Sequence, residues 1–362
     1  MGKFSEEEIL RLEDENKIPR VSLLEKEINA EVLDERFLKN KAPSYRQFLY
    51  RWLPAHISQI LEALIIQHRF DVILSQTEKV AFPMAYLMKL LRMKTPHVCV
   101  ISRISSVDEK QSRRKVWFMK KIKNSVDKFL IWSIAQRRFA IQKLDVAPEK
   151  IVLIRRGTDQ KFWKPVRREG VMISAAGMEA RDYPTLIEAL RPLKIPCHIA
   201  VSATRGELFD TVKELYDMDD IPAHITVGRK NYENLRELYA NSRFVVVPLM
   251  KSDSDNGLTT ILESMAMARP VICSRTEGQI GIIEEGVNGV FVPQGDSKTL
   301  RDKILELWND PERCEEMGWN GRKFIEEYHS MEQFVRDIKE EIYSVLAPSL
   351  VEEGTLVQKQ PI

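Results

Sequence analysis

The chain has 362 residues, enough for two domains that each bury a core of their own. Its 55 Lys and Arg nearly balance 53 Asp and Glu, which argues against nucleic acid as the main partner. No run approaches the roughly 20 apolar residues of a membrane span. Met1-Gly2 lacks the Ser or Thr of a myristoylation signal, and the opening residues are too charged for a signal peptide. Cys99, Cys197, Cys273 and Cys314 show no paired spacing; Cys99 and Cys273 sit in apolar runs, as reduced, buried thiols do. The expected location is cytoplasmic.

Residues 1–20 are polar and read as frayed or as a short helix. Residues 20–24 (RVSLL) read as a first strand and residues 33–38 as a helical piece. From 45 to 67, Leu, Ile and aromatic residues recur at helical spacing, which predicts one helix. Residues 70–74 form the next expected strand, followed by Gln76, Thr77 and Glu78 and by a helix from Phe82 with Pro83 in its first turn. Residues 97–101 are a strand that runs out at Ser102 and Arg103. Loops that follow parallel strands share the ligand edge of an open α/β sheet, so Gln76, Thr77, Glu78, Ser102 and Arg103 are candidates for ligand contact. His97 stands at the opposite edge and reads as structural. The stretch 110–128, opening on Lys110 and closing on Lys128, is strongly basic around Val116, Trp117, Phe118 and Met119. It reads as a solvated helix face over a core stripe, with an anionic membrane surface at the inner face of the membrane as the alternative. Residues 129–133 and 151–154 are further strands, with a helix from 134 to 144 between them.

After Phe162-Trp163-Lys164-Pro165, the charged run VRREG reads as a linker. Residues 171–175 open a second set of strands, continued at 197–201 and 224–228. The densest signals lie in 244–292. Phe244-Val245-Val246-Val247 is an apolar run stopped by Pro248, as in a buried parallel strand. A loop rich in Ser and Asp ends at Asn256-Gly257. Then Leu258, Ile261, Leu262, Met265 and Ala266 recur at helical spacing until Arg269-Pro270, where the next strand starts. Such a unit puts a helix N-terminus at the carboxyl edge of the sheet, where free N–H groups and the helix dipole hold anions. Gly257 admits close approach, Thr259 and Thr260 add hydroxyls, and Glu263 reaches back toward a ligand hydroxyl. On residue chemistry alone, an ordinary capped crossover is the slightly better reading. No G-x-G-x-x-G follows either first strand, which argues against a dehydrogenase. Asp253-x-Asp255 is weak grounds for a metal. Residues 300–307, 311–327 and 328–345 read as helices, with His329 in a capping or packing role and 349–362 as a flexible tail.

Taken together, 244–292 resembles the nucleotide-sugar site of retaining glycosyltransferases of the GT-B fold, family 4. Leu262-Glu263-Ser264-Met265-Ala266 and Arg269-Pro270-Val271-Ile272 match the second half of that family's paired-acid motif. Asp255, eight residues earlier, stands for its first Glu and is one methylene shorter. Ala268 stands where the family has glycine. Residues 285–290 (EGVNGV) match its DGVNG-like turn. Upstream, Asp159, Phe162 and Pro165 agree with the family's end-of-domain segment, with Arg156-Gly157 at its Asn-Gly. In the loop after 175, Arg181 matches a family Lys that neutralises diphosphate, while Ala176 stands where a second cation is expected. Arg155, Arg156, Arg205 or Lys251 are the candidates to compensate.

The resemblance implies an α/β protein of GT-B architecture, two Rossmann-like domains with parallel sheets facing across a cleft. Residues 1–165 are then the acceptor-binding domain, 166–330 the nucleotide-sugar domain, 331–348 a helix crossing back, and 349–362 a tail. The implied reaction moves a sugar, with retention, from a nucleotide-diphosphate sugar to a hydroxyl on a glycan, lipid or small molecule, with neither metal nor cofactor. Asp255, Arg181 and Glu263 take the catalytic positions. Gly257, Leu258, Thr259 and Thr260 hold the donor, Val227, Gly228 and Arg229 its base, and Gln76, Thr77, Glu78, Ser102 and Arg103 face the acceptor. Three alternatives accompany this reading. One is a sugar-phosphate synthase or phosphorylase of the same fold. Another is a silent GT-B partner subunit, favoured by Ala176 and Asp255. The third is a peripheral membrane-binding protein acting through 110–128.

Overall fold

The computed structural model describes residues 4–101, 109–201, 215–251, 255–276, 279 and 281–350, without the side chains of 109–112, 114–115 and 347–350. By internal contacts the chain forms two compact units. One joins Leu23–Arg155 with Val335 onward; the other joins Glu6–Ser22 with Arg156–Phe334. The expected split placed residues 1–165 together; here Glu6–Ser22 group with the later unit.

The first unit holds a four-stranded parallel sheet in the order β1 (Ile73–Ser75), β2 (His97–Ile101), β3 (Lys128–Ile131), β4 (Ile151–Leu153). All five residues of β2 are buried, as expected where helices cover both faces of a parallel sheet. Its helices are α2 (Leu23–Glu27), α3 (Glu35–Asn40), α4 (Ser44–Tyr50), α5 (Ala55–Ile66), α6 (Glu78–Leu90), α7 (Glu109–Ile122) and α8 (Ile134–Leu144). α1 (Glu6–Asp14) belongs to the other unit. Three sequence expectations need correction. Residues 20–24 are no strand: a turn leads into α2, and no strand precedes Ile73 among the described residues. The reason is where the backbone donors go. The Arg20 amide donates to the Asp159 carboxylate at 2.7 Å and the Ser22 amide to Glu13 at 2.7 Å, so no neighbouring strand is needed. The single helix over 45–67 is two, because Pro54 cannot continue α4 and stands at the N-cap of α5. α6 starts at Glu78, so Pro83 lies inside it rather than in its first turn, and its missing N–H breaks one link of the helix ladder. In the basic stretch, Met119 and Ile122 of α7 are core residues, and Trp117 is the one exposed large apolar side chain described there.

The second unit is built on six parallel strands: β5 (Met172–Ala176), β6 (Cys197–Ala200), β7 (Ile225–Gly228), β8 (Ser242–Val247), β9 (Val271–Ser274) and β10 (Gly289–Val292). Their spatial order is β10-β9-β8-β5-β6-β7. The chain winds outward from β5 one way and then, from β8, the other way. That is the doubly wound order, and it puts a topological switch point between β5 and β8. Residues alternate across the sheet: Phe244 and Val246 join a core with Ile173, Ile187 and Ile304, while Val245 and Val247 join one with Leu258, Ile261 and Met265. α9 (Tyr183–Leu190), α10 (Tyr232–Asn241), α11 (Leu258–Ala266), α12 (Ser297–Trp308) and α13 (Pro311–Tyr328) complete the unit. α14 (Met331–Leu350) follows. Its residues from Val335 on pack in the first unit, where Lys128 lies 3.4 Å from Glu341 and Lys339 3.3 Å from Glu27.

α11 ends in a Schellman motif: the Ala268 amide donates to the Met265 carbonyl at 2.9 Å and that of Arg269 to the Ser264 carbonyl at 2.9 Å. Ala268, in the glycine position of the resemblance, therefore has φ 54° and bears a Cβ in the left-handed region. Its carbonyl meets α13 at Gly318, where a Cβ would come within 2.1 Å of it. Ala268→Gly relieves the strain at some cost in unfolded-state entropy, so thermal or denaturant unfolding is expected to show a net gain of roughly 0.5–1 kcal/mol. An equal or lower stability for the glycine variant contradicts this account of the helix end.

Candidate active site

The switch point opens the sheet at the carboxyl ends of β5 and β8, and the following loops are tied to each other. The Asp182 amide donates to the Pro248 carbonyl at 3.1 Å, the Met250 amide donates to the Ala180 carbonyl at 3.0 Å, and Arg181 bridges Leu249. This pins Arg181, which is buried. Its Nε donates to the Ala176 carbonyl at 2.9 Å, Nη1 to the Glu179 carbonyl at 2.8 Å and Nη2 to Thr260 Oγ1 at 3.2 Å. Gly177 makes this seat. Its φ is 115°, and a Cβ there would lie 2.2 Å from Arg181 Nη2.

α11 starts against this seat. Its N-cap, Gly257 at φ 88°, offers no side chain to the first turn, and a Cβ there would meet Val247 Cγ1 at 2.9 Å. The Leu258 amide donates to the Asp255 carbonyl at 3.1 Å, and with no side-chain cap the amides after it are left to a ligand, with the positive end of the helix dipole behind them. Thr259 is exposed at this end. Thr260, expected to offer its hydroxyl outward, instead turns it inward, accepting from Arg181 and donating to the Ala176 carbonyl at 3.3 Å. The residue that takes the outer place is Arg156. Its Nη1 lies 3.2 Å from Asp255 Oδ2 and 3.5 Å from Thr259 Oγ1. The backbone of Arg156 is held by His329, whose Nδ1 must carry the proton because a carbonyl only accepts; that contact is 2.8 Å. His329 is thus the packing residue expected, at the C-cap of α13.

Glu263 sits one turn into α11, buried, with Oε2 accepting from Tyr239 OH at 3.2 Å. Burial pushes its carboxyl up to about 8, against the pull of the Tyr239 hydrogen bond and the Arg181 charge. Glu263 is therefore mainly protonated at neutral pH. Tyr239 itself is raised well above the usual phenol value, by burial first and then by Glu263. Sequence reasoning had no means to find Tyr239, since a tyrosine on a core-facing helix position names no partner; only its need for one when buried was foreseeable.

Val227 and Gly228 close β7, the edge strand two places from β5, and Arg229 follows it, exposed. In the other unit, Gln76 and Thr77 are exposed at the carboxyl end of β1, and Glu78 opens α6. Ser102, Arg103, Arg205 and Asp253 lie outside the described residues. His97 is buried 2.9 Å from Ser75 Oγ, its pKa lowered by burial to about 4, in keeping with a structural role.

The protonation of Glu263 has a measurable consequence. Its folded value lies above the ordinary carboxylate value, so between about pH 5 and pH 8 the folded chain holds a proton that the unfolded chain releases. Stability contributed by this group is complete below the unfolded pKa and declines as pH rises through that window. Unfolding followed across it is expected to show a loss on the order of a few kcal/mol, at about 1.4 kcal/mol per pH unit of the window. In Glu263→Gln the slope flattens; an unchanged slope would mean that another group titrates.

Comparison with known proteins agrees with the geometry. The profile described as Glycosyltransferase Family 4 matches residues 21–162, and that of Glycosyl transferases group 1 matches residues 159–324. An uncharacterized glycosyltransferase of Methanocaldococcus jannaschii is 24% identical over 274 residues, which is 74% of each chain. Sucrose-phosphate synthase from Thermosynechococcus elongatus has the same fold, with a TM-score of 0.68 at 17% identity over 85% of this chain and 81% of its own. Anabaena HepE, solved with UDP-glucose, gives a TM-score of 0.66 at 18% identity over 82% and 84%. Two parallel-sheet α/β units, paired family profiles that meet at the boundary segment, and an acid-bearing helix at the switch point lead to one conclusion: the chain belongs to the family 4 glycosyltransferases of the GT-B fold.

Proposed function

We propose that this enzyme takes its sugar from a nucleoside-diphosphate sugar, held in the second unit at the β5/β8 switch point, and passes it to a hydroxyl acceptor with retention and without a metal. The observation that carries the reading is the start of α11, where a first turn without a side-chain cap, Thr259 and the Arg156 guanidinium meet over the buried Arg181. As the bond from the sugar to the diphosphate breaks, negative charge grows on the leaving oxygen. Oriented amides and fixed cations stabilise that charge more than they stabilise the bound donor. Arg156 supplies the cation absent at Ala176. Asp255, beside it, orients the sugar, and Glu263 receives the ribose hydroxyls. The nucleobase lies by Val227, Gly228 and Arg229. Acceptor contact falls to the first unit, with Gln76, Thr77, Glu78, Ser102 and Arg103 as candidates. HepE binds UDP-glucose, which makes uridine donors the first to try.

Two hydroxyls donating to Glu263 favour its ionised form, so donor binding at pH 7 is expected to expel the proton that Glu263 otherwise holds. Calorimetry in buffers of different ionisation enthalpy reads this directly. A panel of nucleotide sugars, scored by thermal shift and by slow hydrolysis to the nucleoside diphosphate, identifies the donor. With that donor, Arg156→Ala is expected to slow hydrolysis by roughly 10²-fold. Glu263→Gln is expected to remove the proton release. No shift with any donor sinks the reading, and a shift without proton release removes Glu263 from the ribose.

A further inference from the structure

α4 carries an apolar stripe on the wrong side. Tyr45, Phe48 and Leu49 of the helix and Trp52 in the turn that follows it recur at i, i+3, i+4 and i+7, the spacing of a face that ordinarily packs on a core. Yet they are 72%, 64%, 52% and 79% exposed. The opposite side of the helix is the one that anchors it. Tyr50 OH donates to Glu62 Oε2 at 2.7 Å and Arg46 Nε lies 2.9 Å from the same carboxylate, which α5 buries. The stripe is thus held outward by a fixed inner contact.

Charge says what it faces. From residue 36 to residue 70 the chain has six Lys or Arg (Arg36, Lys39, Lys41, Arg46, Arg51 and Arg69) and a single acid, Glu62. That acid is fully buried under Tyr50 and Arg46, and Arg36 and Lys39 pair with Asp34 and Glu35 just before the stretch, so the cations beside the stripe itself, in residues 41–56, are Lys41, Arg46 and Arg51, with no acid among those residues. Arg51 is exposed within the patch itself. The geometry points to an anionic lipid surface as the partner of this patch: Phe48 and Leu49 enter the boundary of the acyl chains, and Tyr45 and Trp52 sit at headgroup level. Aromatic rings with one polar tip favour that depth, and basic residues around them gain from acidic headgroups. A second copy of the chain is a poorer occupant, because it would set Arg51 and its basic neighbours against their own like charges. None of the described helices is long and apolar enough to cross a membrane, so the contact is interfacial. This surface is distinct from the basic stretch of α7, whose apolar side chains Met119 and Ile122 are spent on the core.

Co-sedimentation of the full chain with vesicles tests it. Binding is expected to vesicles of equal parts phosphatidylcholine and phosphatidylglycerol, to weaken with added salt, and to be absent with phosphatidylcholine alone. The double variant Phe48→Ser/Trp52→Ser is expected to bind at least about tenfold more weakly, and Arg51→Glu, which disturbs no packing, to weaken binding at low salt. Thermal melts check that both variants fold; if the double variant does not, Arg51→Glu decides. The proposal is overturned if the wild type ignores anionic vesicles or if the folded variants bind as well as it does. Loss of binding only in Lys120→Glu/Lys121→Glu also overturns it, assigning the contact to α7. A wild-type dimer that the double variant dissociates, without vesicle binding, assigns the patch to self-association instead.

Discussion

The candidate active site rests on a buried cation that is fixed mainly by backbone. Arg181 gives hydrogen bonds to the carbonyls of Ala176 and Glu179 and to the Thr260 hydroxyl, over a glycine that a Cβ would turn into a collision. Burying a guanidinium without a hydrogen-bonded carboxylate is costly unless its donors are satisfied and something negative is near. Here the donors are largely satisfied by the protein, while Glu263, the nearby acid, is mainly neutral at pH 7. The loop thus keeps a standing positive potential at the start of α11. A site of that kind is complementary to an anionic ligand and ill suited to a neutral one. The same bonds that hold Arg181 tie the loop after β5 to the one after β8, so the potential and the shape of the switch point come from one arrangement.

Seen from the sequence, the parts that were legible are those whose periodicity serves packing. The β8-α11-β9 unit was readable because parallel strands buried on both faces appear as unbroken apolar runs and because α11 is buried along nearly its whole length. The position of Glu263 and the end of the helix by Arg269-Pro270 followed from that frame. What was not legible depended on partners distant in sequence. Val21, Leu23 and Leu24 look like a strand, but Asp159, 139 residues away from Arg20, takes the backbone donor a strand would need, and its carboxylate also holds the Arg20 guanidinium at 2.6 Å. Thr260 is chemically equal to Thr259 in sequence, and only the seat of Arg181 decides which hydroxyl turns inward. The stripe on α4 has core spacing, and nothing local reveals that Tyr50 and Arg46 point the helix the other way.

The departures from the family pattern at 156, 176 and 255 look independent in a sequence, and the structure joins them. Ala176 is buried at the end of β5, with its carbonyl already accepting from Arg181 and Thr260. A long cation there would have to leave a packed strand end. Arg156 approaches the same helix terminus from the segment after β4, with its backbone fixed by His329 at the C-cap of α13. The acid it meets is shortened to Asp255, and the 3.2 Å separation shows that the shorter acid and the added guanidinium fit each other. A glutamate at 255 would extend one methylene further, into the place the guanidinium takes. On this argument the missing cation, the new cation and the shorter acid are a single compensated change. It preserves the positive charge at the start of α11 while altering where that charge enters the site.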